Sequence, residues 1–124
     1  MTPSAPISMT EKQVRFERAV AKLILQCQIQ DIDIICTRHI STLDEDLKYF
    51  LEGKSLIDPR VKPTMHMLRL AMDFAVIKDG QITWDAADYQ RFGEIAESLG
   101  LRWGGLWASA GLNDCYHVEY QEGA

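Results

Sequence analysis

The chain lacks an excess of positive charge. Its 13 Lys and Arg stand against 18 Asp and Glu, a formal net charge of −5, and no basic cluster is longer than two residues. Nucleic-acid binding needs a basic surface to neutralise phosphates, so DNA and RNA are not expected partners. Cysteine is scarce and odd in number: Cys27, Cys36 and Cys115 form no C-x-x-C pair. They read as isolated thiols of a protein folded in a reducing compartment. A nucleophilic role for Cys115 beside His117 has no other feature asking for it. Long apolar runs are missing too. The longest, residues 19–25, is broken by Lys22 and is too short for a bilayer. Residues 1–9 have neither the basic nor the apolar region of a secretory signal and read as a Pro/Ser-rich tail. No internal repeat occurs. What remains is 124 residues, 47% apolar and 25% charged, enough for one domain over residues 10–124 with one hydrophobic core.

The chain pattern alternates helix and strand signals. Thr10 with Gln13 suggests a capping box, and Phe16, Ala19, Val20, Leu23, Ile24 and Cys27 follow at helical spacing. A helix over 11–30 is predicted. Residues 33–37, DIICT, predict a short buried strand. Residues 43–52 predict a helix capped by Ser41 or Thr42 and stopped by Gly53, its charges Asp44, Glu45, Asp46 and Lys48 forming a solvated face. Residues 54–65 carry two prolines and read as a long loop. Residues 70–77 predict a strand, Lys78-Asp79-Gly80-Gln81 a hairpin turn, and 82–84 its return. Asp85 caps a third helix ended by Gly100, and 114–120 predict a last strand. The fold class is α+β, helices packed on one face of a small antiparallel sheet.

Asp73 is the anomaly. It sits in the middle of an apolar strand, where a lone carboxylate costs several kcal/mol by order of magnitude, so it needs a cation. His66 lies where the loop enters that strand, and His117 lies in the last strand, which could pair beside it. Two imidazoles and a carboxylate are a common catalytic zinc set with a fourth position left for water. Asp114, three residues before His117, could reach that water as general base. Glu119 shares the His117 face of a strand, as a second candidate base or as a partner that orients a ligand. A core histidine, a salt-bridged Asp73 and a solvated Asp114 are the plainer alternative on spacing alone.

Taken together the motifs resemble the VanY-like zinc peptidases, D-alanyl-D-alanine carboxypeptidases and phage L-alanyl-D-glutamate endopeptidases. The resemblance rests on Thr64-Met65-His66, Arg69-Leu70-Ala71-Met72-Asp73, Trp103-Gly104-Gly105 and Asp114-Cys115-Tyr116-His117, with Tyr49 to Ser55 matching a helix end before the long loop. It covers about residues 10–120. It implies a hedgehog/D-Ala-D-Ala-peptidase-like fold, zinc on His66, Asp73 and His117, and Asp114 as catalytic base. It also implies zinc-assisted attack of water on an amide of a peptidoglycan stem peptide. Ser41 stands where many members carry an Arg held to bind a substrate carboxylate or oxyanion, and Arg38 or Arg60 could replace it. Thr64 stands for the family's Ser, and Arg69 for a common Gly.

Arg38, Thr64 and Tyr116 are the candidates for substrate contact, with Tyr116 either lining the cleft or only packing. Trp103 is expected to pack beside the site. Trp84 and Trp107 could stack on substrate or pack. His39 reads as a surface histidine. The function expected is that of a phage-type endolysin, monomeric in action, made without a signal and released to the wall. The alternatives are a non-catalytic zinc-binding wall or structural module of the same fold, and a D-Ala-D-Ala dipeptidase.

Overall fold

The computed structural model describes residues 6–110 and 114–122. The first five residues of the expected tail, and Leu112-Asn113 of the last motif, lie outside them. The elements in chain order are α1 (Met9–Ile29), β1 (Asp33–Arg38), α2 (Leu43–Leu51), β2 (Ala71–Lys78), β3 (Gln81–Thr83), α3 (Gln90–Ser98), β4 (Arg102–Trp103) and β5 (His117–Glu119). Short 3-10 turns span Ala86–Tyr89 and Gly104–Ala110. The strands form one antiparallel sheet in the order β1-β2-β5-β4, with β3 also on β2. Among the described residues no helix is long and apolar enough to cross a membrane.

The expected α+β class holds. α1 buries Phe16, Val20, Leu23 and Cys27, a spacing of four, three and four that keeps one helix face on the sheet. α3 adds Phe92, Ile95 and Ala96, and β2 meets them with Phe74 and Val76. The cap of α1 differs from expectation. Ser8, not Thr10, accepts the Glu11 amide at 3.1 Å, because Ser8-Met9-Thr10-Glu11 has the capping-box spacing two residues earlier. Gln13 instead donates to the Leu68 carbonyl at 2.9 Å and ties α1 to the turn before β2.

Three other expectations are corrected. β1 is not buried: among the described residues it is an edge strand paired with β2 alone, and Ile35 is 47% exposed. The third helix begins as a 3-10 turn, with the Asp85 carboxylate accepting from the Ala87 amide at 3.1 Å. The last strand is only His117–Glu119, since 114–116 form a turn leading into it. The 78–81 hairpin is as expected, with Asp79 and Gly80 both at positive φ (54° and 77°), as a two-residue primed turn requires.

Trp103 locks the sheet to α3. Its indole fills the space that side chains at Gly93 and Gly105 would occupy. A Cβ on Gly93 would stand 2.1 Å from the ring, and one on Gly105 2.2 Å. Helix propensity alone favours Ala over Gly by about 1 kcal/mol. Overpacking here costs about 1–3 kcal/mol and wins. Gly93→Ala is therefore expected to lower the urea midpoint; a higher midpoint would show that the indole is not confined there.

Candidate metal centre and cleft

The sheet register builds the centre. Asp73 of β2 pairs directly with His117 of β5, so their side chains leave the sheet on the same face. That face is opposite the core: the next pair, Met72 and Val118, points inward, and Val118 is fully buried. His66 arrives from a tight turn in which the Thr64 carbonyl accepts from the Leu68 amide and the His66 carbonyl from the Arg69 amide. Arg69 closes that turn at φ 60°, the left-handed region that suits the family's glycine. Asp73, His66 and His117 are 6%, 5% and 8% exposed.

One ligand atom from each of these three residues lies within 4.8 Å of the others. His117 Nδ1 is 3.0 Å, and His66 Nε2 3.2 Å, from the same Asp73 oxygen. The far nitrogens are held from behind. His66 Nδ1 lies 2.9 Å from the His39 carbonyl, and His117 Nε2 2.8 Å from Glu119. Each such bond places the proton on the far nitrogen and turns the other lone pair toward the cluster. His66 Nε2 is buried, and it faces the Asp73 oxygen without the alignment of a hydrogen bond. Two oriented imidazoles, one carboxylate and an orphaned ring nitrogen fit a tetrahedral zinc site with one open position. His39 is thus half-buried rather than a surface residue, and its main chain is what matters.

Electrostatics without an ion agree with this. Burial resists charge on Asp73, but the His117 and His66 imidazoles beside it outweigh that and bring the carboxyl down to about 2. Burial likewise opposes charge on His117, and Asp73 and Glu119 overcome it, raising the imidazole to about 9. Below that value a protonated His117 donates through Nδ1 to Asp73, the positive charge standing where a cation would sit.

The other expected residues divide. Asp114 is half-buried, and its carbonyl accepts from the His117 amide at 2.9 Å. Tyr116 donates to the Asp114 carboxylate at 2.9 Å. Burial and the Asp114 charge push that phenol well above its ordinary range, so it remains a donor. Trp103 Nε1 donates to the Cys115 carbonyl at 2.6 Å and fixes the same turn. Gly104 lets the turn approach: a Cβ there would meet the Asp114 carbonyl at 2.4 Å. Cys115 itself is buried in the core and its thiol is pushed up by that burial, which removes it as a nucleophile.

A cleft of about 510 Å³ opens beside the cluster, lined by Thr37, Arg38, Glu45, Tyr49, Asp73, Trp84 and Tyr116. Arg38 reaches it because of a β-bulge. Cys36 pairs with Phe74, but Arg38 pairs with Asp73, leaving Thr37 as the extra residue. Without the bulge Arg38 would oppose Met72. Arg60 is engaged by Asp58 through bonds of 2.9 Å and does not line this cleft. Thr64, expected against substrate, is buried, and its hydroxyl bonds Asp46 and the Met67 amide. Trp107 packs on the His117 ring with centroids 5.1 Å apart. Asp46 was expected on a solvated face; it is 4% exposed. The signal that could have marked it is its place on the inner side of a short helix, masked by the neighbouring acids.

The fold and cluster define a mixed helix–sheet domain with a buried His–Asp–His cluster able to hold a metal ion. Residues 60–120 match the D-alanyl-D-alanine carboxypeptidase family. The peptidoglycan L-alanyl-D-glutamate endopeptidase CwlK of Bacillus subtilis is 31% identical, across 71% of this chain. The chain spans about 60% of that relative's length. The Serratia marcescens L-Ala D-Glu endopeptidase ChiX superposes with a TM-score of 0.64 at 16% identity, over 88% of this chain and 77% of that one. The vancomycin-resistance D,D-pentapeptidase VanY, solved with Zn(II), superposes with a TM-score of 0.55 at 18% identity, over 86% and 71%. Over residues 60–120 the chain thus matches the D-alanyl-D-alanine carboxypeptidase family, and its fold is that of the VanY-like peptidases.

The ion-free protein has a defined pH response. His117 is raised from 6.5 to about 9 on folding, so its contribution is complete below pH 6.5 and lost as pH rises through 9. Asp73 is lowered from 3.8, so its contribution is present above pH 3.8 and lost as pH falls through about 2. Thermal scans of chelated protein should show the midpoint falling between pH 6.5 and 9. The midpoint gain on adding zinc should grow over the same window, because the ion must displace the His117 proton. A flat chelated curve would count against the bridged pair. Glu119→Gln should weaken zinc binding by about 10–100-fold in chelator competition; unchanged affinity would remove Glu119 from ligand support.

Proposed function

We infer that this chain is a zinc metallopeptidase that hydrolyses an amide bond in peptidoglycan stem peptides. The observation that carries the reading is the convergence of His66, Asp73 and His117, each imidazole already oriented by a bond to its far nitrogen. The family match and the endopeptidase relative support the substrate class. Zinc on His66, Asp73 and His117 would supply a Lewis acid that polarises the amide carbonyl and makes water acidic.

The chain's own residues do the rest. Asp114 takes a proton from the attacking water and returns it to the leaving amine. Its Oδ1 accepts from Tyr116, which leaves the other oxygen for that proton. Glu119 keeps His117 turned to the cluster, and Trp103 holds the turn that carries Asp114 and His117. Arg38, on the cleft wall, receives a carboxylate or carbonyl of the peptide. Trp84 and Tyr116, edge to face at 5.9 Å, offer the aromatic wall against which the peptide lies.

A phage-type lysin acting at the wall after release fits this reading. So does action as a monomer, since one chain supplies every residue assigned. The net charge of −5 gives no attraction to an anionic wall. A non-catalytic module was suggested by Ser41 in the family's Arg position; Arg38 at the cleft speaks for catalysis instead.

Purified protein incubated with peptidoglycan sacculi, with zinc and after chelation, should release peptides only when zinc is present. Mass spectrometry of the new termini separates an L-Ala-D-Glu endopeptidase from a D-Ala-D-Ala carboxypeptidase or dipeptidase. His66→Ala should lose zinc and activity together. Asp114→Asn should retain one zinc per chain while kcat falls by about 10²–10⁴. Full activity of Asp114→Asn would reassign the base.

A further inference from the structure

Among the described residues outside the His–Asp–His cluster, Asp46 of α2 is a buried carboxylate with three side-chain donors. A carboxylate that far from water persists only when paired and hydrogen-bonded. Three donors converge on it. Ser41 donates to Oδ2 at 2.6 Å, Thr64 donates to the same oxygen at 2.5 Å, and Arg38 Nη2 donates to Oδ1. Each donor comes from a different segment around the site. Arg38 lies opposite Asp73 at the bulge and lines the cleft. Ser41 follows His39, whose carbonyl holds His66. Thr64 opens the turn on which His66 rides.

The guanidinium is held without being used up. Asp46 takes one terminal nitrogen, and Tyr49 lies under the plane, 4.7 Å from Cζ to the ring centroid. Nε is buried and has no hydrogen-bond partner. A planar fork fixed on one side and unsatisfied on another is suited to a carboxylate ligand.

We propose that Asp46 is a positioning residue that holds Arg38 at the cleft as the peptide's carboxylate-binding group, and links that grip through Thr64 to the turn carrying His66. The proposal rests on the peptidase reading above. Asp46→Asn keeps the size and an acceptor for Ser41 and Thr64 but removes the charge that fixes Arg38. In the zinc-loaded full chain, one zinc should remain, and the Arg38 Nε–H signal in the nitrogen-15 spectrum should move. KM for a stem peptide should rise about tenfold or more, the scale of a lost charge-assisted bond, with kcat nearly unchanged. Arg38→Ala should raise KM similarly, and the double variant should be no worse than Arg38→Ala. Ser41→Ala, which loosens Asp46 without removing its charge, should move KM the same way by a smaller factor, and it covers the case in which Asp46→Asn does not fold. An unmoved Arg38 signal, an unchanged KM, or fully multiplicative effects of the two substitutions would overturn the proposal. A wild type that cleaves no peptide overturns the peptidase reading and the carboxylate clause with it, while the Arg38 signal still decides whether Asp46 holds the guanidinium.

Discussion

The buried carboxylate of Asp73 sets the terms for the rest of the molecule. It stands at the middle of the central strand, 6% exposed, on the side of the sheet away from the core. Left alone there it would be intolerable in a folded domain. The sheet answers with His117 from β5, directly across, and the loop answers with His66 from the other side. Everything that fixes those two rings is then needed as well: Glu119, the His39 carbonyl, the tight turn ending at Arg69, and the indole under Cys115.

Most of that centre was legible in the sequence because a charge inside an apolar strand breaks a strong pattern. Asp73 announces itself, and the two histidines stand where strands begin or pair. The fold class followed from the same periodicities. What was not legible depended on long-range geometry. Asp46 sits among Asp44 and Glu45, and nothing local distinguishes the acid that turns inward from the two that face water. The role of His39 resides in its main chain, which carries no residue signature. β1 reads as buried from its β-branched residues, yet its place at the sheet edge exposes it.

The supporting structure works by confinement more than by affinity. Trp103 has glycine on two sides, and its ring occupies what would be their side-chain space. Its N–H reaches the Cys115 carbonyl, so the same residue that fills the core margin also fixes the height of the Asp114–His117 turn. Gly104 then admits that turn at a distance no other residue would allow. A hydrophobic packing requirement and a catalytic alignment requirement are met by one side chain.

The bulge at Thr37 has a consequence for how such a strand can change over time. Pairing from Asp33 to Cys36 is regular, and one surplus residue shifts the count by a single step before Arg38. Because side chains alternate, an odd insertion swaps the two sides of everything beyond it while leaving the preceding pairs untouched. A lineage could therefore relocate a cationic group to the cleft by gaining one residue at an edge, without rebuilding the sheet. The parity of a strand becomes an inheritable switch, and the position that carries a function can drift along the chain while its place in space is kept.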